Sequence, residues 1–543
     1  MQSGHRRDRS PVARIIALVN FEKQKTPPDD VPLRPLTSRD FAACGALIML
    51  AVLLRWPQMY ESLWLDELHT GWCVAGGLGE LPARCAIGNQ SPLWFLLPWL
   101  STKLFGLNEI ALRLPSLLAG IAIVPVIYWL VRWWSASITA SVVAATLATF
   151  DQNFLTFSVE ARPYACVQLM AVVQVAGLWW RCWQPSWKSR VGWIAGSAFL
   201  FYLHYTAALV VVAECGFLLM MQLLRKNSSQ VKWKNITVDL LAIGLLLLPA
   251  VGHLLQIADR RDNWRQFVSA PDEWREWMIL PLATYLIVPA LLAYLWILLE
   301  KLRGIGRPLE SIRTKFTPLI LTMCWLLVPL VIILLTTWFD VAALWMTRYV
   351  IASAAAVVVL AGLLCGLPNV RAARIGIGMV TLLAALFFAG PQWFWYSTGQ
   401  WTPPRGEDWR SAVAHINSNE EAGAWPILLR SALIEADALP ESDDPLLREY
   451  ALLPIRSIYE VPSEGLAIPL PTQRPGVIGS EDVQELQDVP GVWIVTRGSQ
   501  SNAELTFKHV LHTLARADRR ARSSNTQRFG SVWVMRVEFN NPR

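Results

Sequence analysis

Two adjacent carboxylates, Asp66 and Glu67, stand in the stretch Ser62-Leu63-Trp64-Leu65-Asp66-Glu67-Leu68-His69. They follow directly on the first long apolar run, Phe41 to Trp56. Acids are costly inside hydrocarbon, so a pair beside an apolar run marks its water interface. A carboxylate held there can act as a base when a hydroxyl attacks a lipid-linked substrate. Such chemistry also needs cationic or hydrogen-bonding groups where a phosphate departs. Arg162, His204, Tyr205 and Arg348 supply the right types, provided the chain brings them to the same face as Asp66.

Composition says what must position them. Apolar residues make up 54% of the 543 and charged residues only 16%, with mean hydropathy +0.36. Soluble chains average about 25% charged residues. The deficit is local. From residue 41 to 395 the chain is a series of apolar runs, each near the ~20 residues that cross a bilayer. The expected architecture is a polytopic α-helical membrane protein of about 11 transmembrane helices, with a small C-terminal α/β domain on the outer face.

The expected spans are 41–58, 114–131, 136–156, 163–180, 191–205, 206–224, 236–257, 278–299, 317–338, 349–366 and 373–392. Pro92 to Leu100 is left out, being short, tryptophan-rich and broken by Pro98, which suits a helix lying along the interface. With that parity the inner loops carry Arg132; Arg181, Lys188 and Arg190; Arg225, Lys226, Lys232 and Lys234; Lys301, Arg303, Arg307, Arg313 and Lys315; Arg371 and Arg374. The outer loops carry Glu61, Asp66, Glu67, Glu80, Asp151, Glu160, Asp340 and the mixed segment Asp259 to Trp277. Counting 92–105 as a span would put the basic loops outside, against the positive-inside rule. Residues 1–40 are then a basic cytoplasmic tail, expected to be disordered, and no secretory signal opens the chain. Residues 41–395 form the membrane domain with an outer catalytic loop at 59–113, and 396–543 the soluble domain. The net charge of +7 follows from the inner loops and does not point to nucleic acid.

In the tail, Asp408-Trp409-Arg410 opens a helical pattern expected to dock on the membrane domain. The runs 427–429, 492–495 and 532–535 read as strands, and 503–520 as a helix. All eight cysteines lie before residue 366, most of them inside spans as small core hydrophobes. Cys73 and Cys85 share the first outer loop and could form a disulfide; no cysteine spacing suggests a zinc site.

The motifs occur in a recognisable order. Trp64-Leu65-Asp66-Glu67 is followed by Ser91-Pro92-Leu93-Trp94, Leu104-Phe105-Gly106, Arg113-Leu114-Pro115-Ser116, Glu160-Ala161-Arg162-Pro163-Tyr164-Ala165, His204-Tyr205, Arg348-Tyr349 and Glu407-Asp408-Trp409-Arg410. Over residues 41–415 the chain resembles the protein-mannosyltransferase, aminoarabinose-transferase and galacturonosyl-transferase group of GT-C membrane glycosyltransferases. Gln90-Ser91-Pro92 departs from the His or Lys more usual before that family's Pro-Pro-Leu element. The resemblance implies transfer of a sugar from a polyprenyl-phosphate donor to an acceptor hydroxyl on a protein, lipid or glycan, at the extracytoplasmic side of the plasma (inner) membrane. Asp66 is then the general base, with Glu67 and Glu160 as further catalytic candidates and Arg162, His204, Tyr205, Arg348 and Tyr349 as donor-phosphate ligands. A divalent metal is compatible with this chemistry, but the sequence requires none and assigns no cofactor.

Each residue has a plainer role to weigh. Glu67 could orient the loop through an arginine, Glu160 could pair with Arg162, and Arg348 could snorkel at a span end. Asp151 could be a helix-end acid, His204 and Glu214 buried hydrogen-bonded groups, and His253 could join Asp66 as a metal ligand. A transporter or flippase of a lipid-linked substrate is the alternative. It would carry charges within several spans, whereas here the acids gather at one face. A ligand-binding sensor leaves the Asp66 loop without a purpose, and a pyrophosphate-dependent oligosaccharide ligase belongs to the same broad class.

Overall fold

The computed structural model describes residues 36–224, 233–261, 271, 279–305, 308–419, 422–461 and 466–540. The basic tail before residue 36, Arg225, Lys226, Lys232, Arg307 and most of the Asp259–Trp277 segment lie outside the described residues.

Among the described residues, nine helices are long and apolar enough to cross a membrane: Ser38–Tyr60, Glu109–Ser135, Tyr164–Trp183, Tyr205–Leu223, Lys234–Asp259, Ala283–Leu302, Phe316–Trp338, Thr347–Cys365 and Arg371–Thr398. The other two expected spans are shorter helices, Ile138–Phe150 with 13 residues and Trp187–Leu203 with 17. At about 1.5 Å per residue they fall short of the ~30 Å hydrocarbon core. The reason is local. Asp151 ends the first, its carboxylate accepting from the Asn153 and Phe154 amides as N-cap of the helix Gln152–Ser158. The second begins at the Ser186 cap, before its expected start, and ends where His204 turns to extended backbone. Leu96–Phe105 is a helix of 10 residues, too short to span.

Thr347–Cys365 is the most enclosed helix, with 83% of its apolar window buried, against 11% for Lys234–Asp259. Small residues make this possible, since they let helix backbones approach. A β-carbon at Gly362 would stand 2.6 Å from the Ala140 carbonyl oxygen.

Polar contacts sort the loops into two sets. Asp40 binds Arg132 and the Tyr128 hydroxyl. Asp239 pairs with Arg181 and Arg190, and Glu300 accepts from the Asn369 and Val370 amides. All these join segments that the charge count puts inside. At the other end Asp66 faces Arg162 and Arg348, Glu160 faces Arg405, and Tyr205 faces His253.

The loop 59–113 is organised around one buried ion pair. Arg113, 1% exposed, places Nε 2.7 Å from Oε1 and Nη2 2.5 Å from Oε2 of Glu67, which is wholly enclosed. Arg113 also donates to the carbonyls of Gln58, Met59, Glu61 and Ser62. Glu67 in turn accepts from the Ala161 amide at 2.7 Å. Cys73 and Cys85 are both free thiols. The Cys73 sulfur lies 3.2 Å from His69 Nε2, and burial pushes its thiol well up from the usual range. The disulfide considered from sequence is therefore not formed.

The tail carries a five-stranded sheet in the order β2-β1-β3-β5-β4. Its strands are β1 (Ile427–Arg430), β2 (Ala467–Pro469), β3 (Gly491–Arg497), β4 (Ala521–Phe529) and β5 (Val532–Phe539). β1 runs parallel to β2 and β3, while β5 is antiparallel to β3 and β4. Alternation splits each central strand between two cores. Leu428, Val492 and Ile494 pack with Phe507, Val510 and Leu514 of the helix Gln500–Arg516. Ile427, Leu429, Trp493 and Val495 join the core that continues into the membrane domain. Arg410, just inside the helix Trp409–Asn417, seals the junction with Glu109 at 2.6 Å and the Tyr60 carbonyl at 2.9 Å.

Two outcomes follow from this architecture. On a cysteine-free background, a single cysteine at residue 310 stays unlabelled by an impermeant maleimide in intact cells, while one at residue 443 is labelled; labelling at 310 would reverse the assigned sidedness. Glu67→Gln leaves the Arg113 guanidinium buried and unpaired, so it lowers stability by about 3–5 kcal/mol. Thermal denaturation in detergent, with Glu80→Gln as a control, reads that loss.

Candidate active site

Asp66 lies in the first turn of the helix Leu65–Ala75, where the positive end of the helix favours an acid. The tail sets that helix start: Glu407 accepts from the Leu65 amide at 3.0 Å, and also from Trp409 Nε1 and Arg497 Nε. Tyr459 Oη accepts from the Leu63 amide at 2.9 Å. The Asp66 side chain is 28% exposed, with Arg162 Nη2 3.9 Å and Arg348 Nη1 3.7 Å from Oδ2. Those are ion-pair distances beyond hydrogen-bond length. The carboxylate therefore sits between two guanidinium groups without being saturated by either.

Its neighbour is different. Glu67 is filled by Arg113, the Ala161 amide and, at 3.4 Å, the Trp64 amide. With its oxygens filled by protein partners, Glu67 fits the loop-orienting role rather than the catalytic one. Glu160 does not pair with Arg162. Its Oε2 lies 3.3 Å from Arg405 Nη2, and burial pushes its carboxyl up to about 7, with Arg405 opposing. Arg405 itself packs over the Trp64 ring at 5.6 Å.

Arg162 is buried; its side chain donates to the Asp66 carbonyl at 3.2 Å, and its own carbonyl accepts from Ser116. Tyr164 lies beneath its guanidinium at 6.0 Å, and Tyr349 beneath that of Arg348 at 5.2 Å. Among the described residues, neither Arg162 Nε nor Arg348 Nε has a hydrogen-bond partner, although both are shut off from solvent. His204 stands between Tyr164 and Tyr349, with ring centroids 5.8 and 6.1 Å away, and its Nδ1 meets the Thr206 hydroxyl at 2.8 Å. Burial and the two arginines push its imidazole down to about 3. It is therefore a neutral hydrogen-bonding group and not a phosphate cation.

Tyr205 turns its hydroxyl to His253 Nδ1 at 2.8 Å, so His253 is engaged there and not with Asp66. Glu214 accepts from Trp193 Nε1 and Gln174 Nε2, a structural role. Asp151 is the cap described above. Among the described residues no three His, Cys, Asp or Glu side chains converge as a metal-binding group. Arg113, Tyr164 and Glu407 appeared in the ordered motifs without an assigned role. Arg405 and Tyr459 lie far along the chain from Asp66, in segments with no distinguishing local pattern.

Residues 89–252 match the family described as dolichyl-phosphate-mannose-protein mannosyltransferase. No curated protein matches the sequence. Among solved structures, ArnT of Cupriavidus metallidurans in the apo state is 12% identical over 92% of this chain and 98% of its own, with a TM-score of 0.52. The same enzyme bound to undecaprenyl phosphate is 11% identical over the same shares, with a TM-score of 0.50. The oligosaccharyltransferase of Archaeoglobus fulgidus is 12% identical with a TM-score of 0.45; the alignment covers 70% of this chain and only 58% of that enzyme. The chain thus has the membrane fold of ArnT, and its residues 89–252 are similar to the family described as dolichyl-phosphate-mannose-protein mannosyltransferase.

Proposed function

We propose that the protein moves a sugar from a polyprenyl-phosphate donor to an acceptor hydroxyl on the extracytoplasmic face of the membrane. The observation that carries this reading is the pairing of one unsaturated carboxylate with two arginines whose Nε donors are buried and unfilled. An unmade hydrogen bond on a buried donor costs about 1–3 kcal/mol. Two such donors beside a lone carboxylate suit an incoming anion, and a phosphate takes guanidinium donors well. The family of the 89–252 segment is described by a polyprenyl-phosphate sugar, and ArnT has been captured with undecaprenyl phosphate; both support a lipid-phosphate donor.

In this scheme the acceptor O–H loses its proton to Asp66 as its oxygen attacks the anomeric carbon. The bond from that carbon to the phosphate oxygen breaks, and polyprenyl phosphate leaves with the electron pair. Arg162 and Arg348 stabilise the charge that grows on it. A single free carboxylate supports one direct displacement, with inversion at the anomeric carbon. Glu67 and Glu160 hold the frame through Arg113 and Arg405. His204 and Tyr349 flank the arginines, His204 as a neutral donor or acceptor.

Asp66→Asn keeps the shape and removes the base. Transfer from a polyprenyl-phosphate sugar, assayed on purified protein, falls by about 10²–10⁴-fold with thermal stability near wild type. A fully active Asp66→Asn enzyme would pass the role to Glu160. Arg162→Ala and Arg348→Ala each weaken donor use by about 1.5–3 kcal/mol, and lysine restores only part, since a point charge does not replace a planar fork. Unchanged donor affinity in both alanine variants would move the phosphate site elsewhere. A well-folded wild type inert toward every polyprenyl-phosphate sugar would shift weight to transport of a lipid-linked substrate.

A further inference from the structure

The helix that carries Asp66 starts without a cap from its own segment. Trp64 holds the N-cap position, at φ −89° and ψ 171°, and its side chain makes no capping bond. An indole has a donor and no acceptor, so it cannot receive the free amides of a first helical turn. Glu67, three residues on, accepts from the Trp64 amide and is otherwise spent on Arg113 and Ala161. The Leu65 amide is taken instead by Glu407 Oε2 at 3.0 Å, from 342 positions away. Glu407 thus supplies from the tail the kind of acceptor that Ser, Thr, Asp or Asn supplies at an ordinary helix start.

The tail holds that carboxylate firmly. Glu407 is buried; Oε2 also accepts from Trp409 Nε1 at 2.8 Å, and Oε1 from Arg497 Nε, at the end of β3, at 2.7 Å. Its main chain is clasped by the turn between β4 and β5, where Glu407 bridges Gly530 and the Gly406 carbonyl accepts from the Ser531 amide. Gly530 sits at φ 66°, and a β-carbon there would run into the Gly406 carbonyl oxygen. On the far side of Asp66, Arg162 Nη1 donates to the Asp66 carbonyl at 3.2 Å, and the Thr70 hydroxyl donates to the Ala161 carbonyl at 2.8 Å. The backbone before Asp66 is therefore set by the tail, and the backbone after it by the 160–162 segment. Docking of the tail has other anchors. Arg410 pairs with Glu109, Tyr459 bonds the Leu63 amide and Glu109, Glu449 accepts from Trp72 Nε1 and pairs with Arg84, and Ile458 packs against Gly71. What Glu407 adds to them is the place and direction of the first helical turn, and so of Asp66 at its second residue.

Resting on the transferase reading, we propose that Glu407 is a positioning residue for the transfer: it caps the Asp66 helix from the tail and so sets where the base meets the acceptor hydroxyl. The proton still passes to Asp66, and Glu407 touches neither substrate. Its hydrogen bond acts on turnover and not on donor binding, because a base displaced by about 1 Å costs as much as 10²-fold in rate.

The test uses purified full-length protein, a panel of undecaprenyl-phosphate hexoses, and a serine peptide, p-nitrophenyl glucoside and a glycolipid as hydroxyl acceptors. Release of undecaprenyl phosphate is measured per folded molecule, counted by size exclusion. Glu407→Ala is expected to lower kcat by about 10- to 100-fold, with the donor KM within about twofold of wild type. Glu407→Gln keeps an oxygen for the Leu65 amide and should stay within about threefold of wild-type kcat, whereas Glu407→Asp keeps the charge one methylene short and should fall nearly as far as alanine. Glu449→Ala removes an anchor of the tail and should leave kcat near wild type. Hydrogen–deuterium exchange reads the geometry directly: in Glu407→Ala the segment 61–75 should exchange about tenfold faster or more, with the helix Thr347–Cys365 unchanged. If the alanine variant does not fold, the order of glutamine over aspartate decides. An intact kcat, a raised donor KM alone, an equal loss in Glu449→Ala, aspartate outperforming glutamine, or unchanged exchange at 61–75 would each overturn the positioning role and leave the transferase reading standing. A wild type that releases no undecaprenyl phosphate from any donor would instead overturn that reading, and the positioning role with it.

Discussion

The buried Arg113–Glu67 pair is the constraint on which the rest of the Asp66 end of the molecule depends. Arg113 gathers four carbonyls of the 58–62 turn, fixing where the first span ends and the next helix begins. Glu67 holds the Ala161 amide, so the segment bearing Glu160 and Arg162 hangs from the residue next to Asp66. Two side chains thereby set the distance between a carboxylate and a guanidinium that lie 96 residues apart in the chain. Buried ion pairs often add little net stability, because desolvation offsets their attraction. Their use here is geometric, since a charge that cannot be left unpaired tolerates few alternative arrangements.

The same logic explains how differently two adjacent acids behave. Asp66 and Glu67 have the same charge and neighbouring positions. One is filled by short hydrogen bonds within the protein, and the other is held near two cations at 3.7 and 3.9 Å with its lone pairs unspent. A carboxylate that is already saturated has no room for a substrate proton, whereas one that is merely flanked does. Enclosure, not residue type, separates the two acids of this loop.

The long spans were legible because twenty apolar residues leave few other readings. Of the two helices that fall short, the end of the first was missed because Asp151 caps it within otherwise apolar surroundings, and the second was placed four residues late at its start. In the tail, β1, β3 and β5 announced themselves since both their faces are largely covered, giving unbroken apolar runs. β4 is polar and exposed along nearly all its length, and β2 has three residues, so neither left a pattern. Asp66, Arg162 and Arg348 could be picked out from motif order. The pairings could not: that Arg113 claims Glu67, or that Arg405 and not Arg162 claims Glu160, depends on tertiary contacts that no local spacing encodes. Nor could sequence show that enclosure keeps His204 uncharged.

The hydrogen bond from the Leu65 amide to Glu407 joins residues 342 positions apart. At ribosomal rates of about 5–20 residues per second, the helix bearing Asp66 waits roughly 20–70 s for its partner to be made. During that interval the first spans are already in a bilayer that holds lipid carriers. A helix whose start is pinned by a residue made 342 positions later cannot be fixed early. The order of synthesis thus acts as a timer, and the surroundings of Asp66 take their final form only after Glu407 has been made.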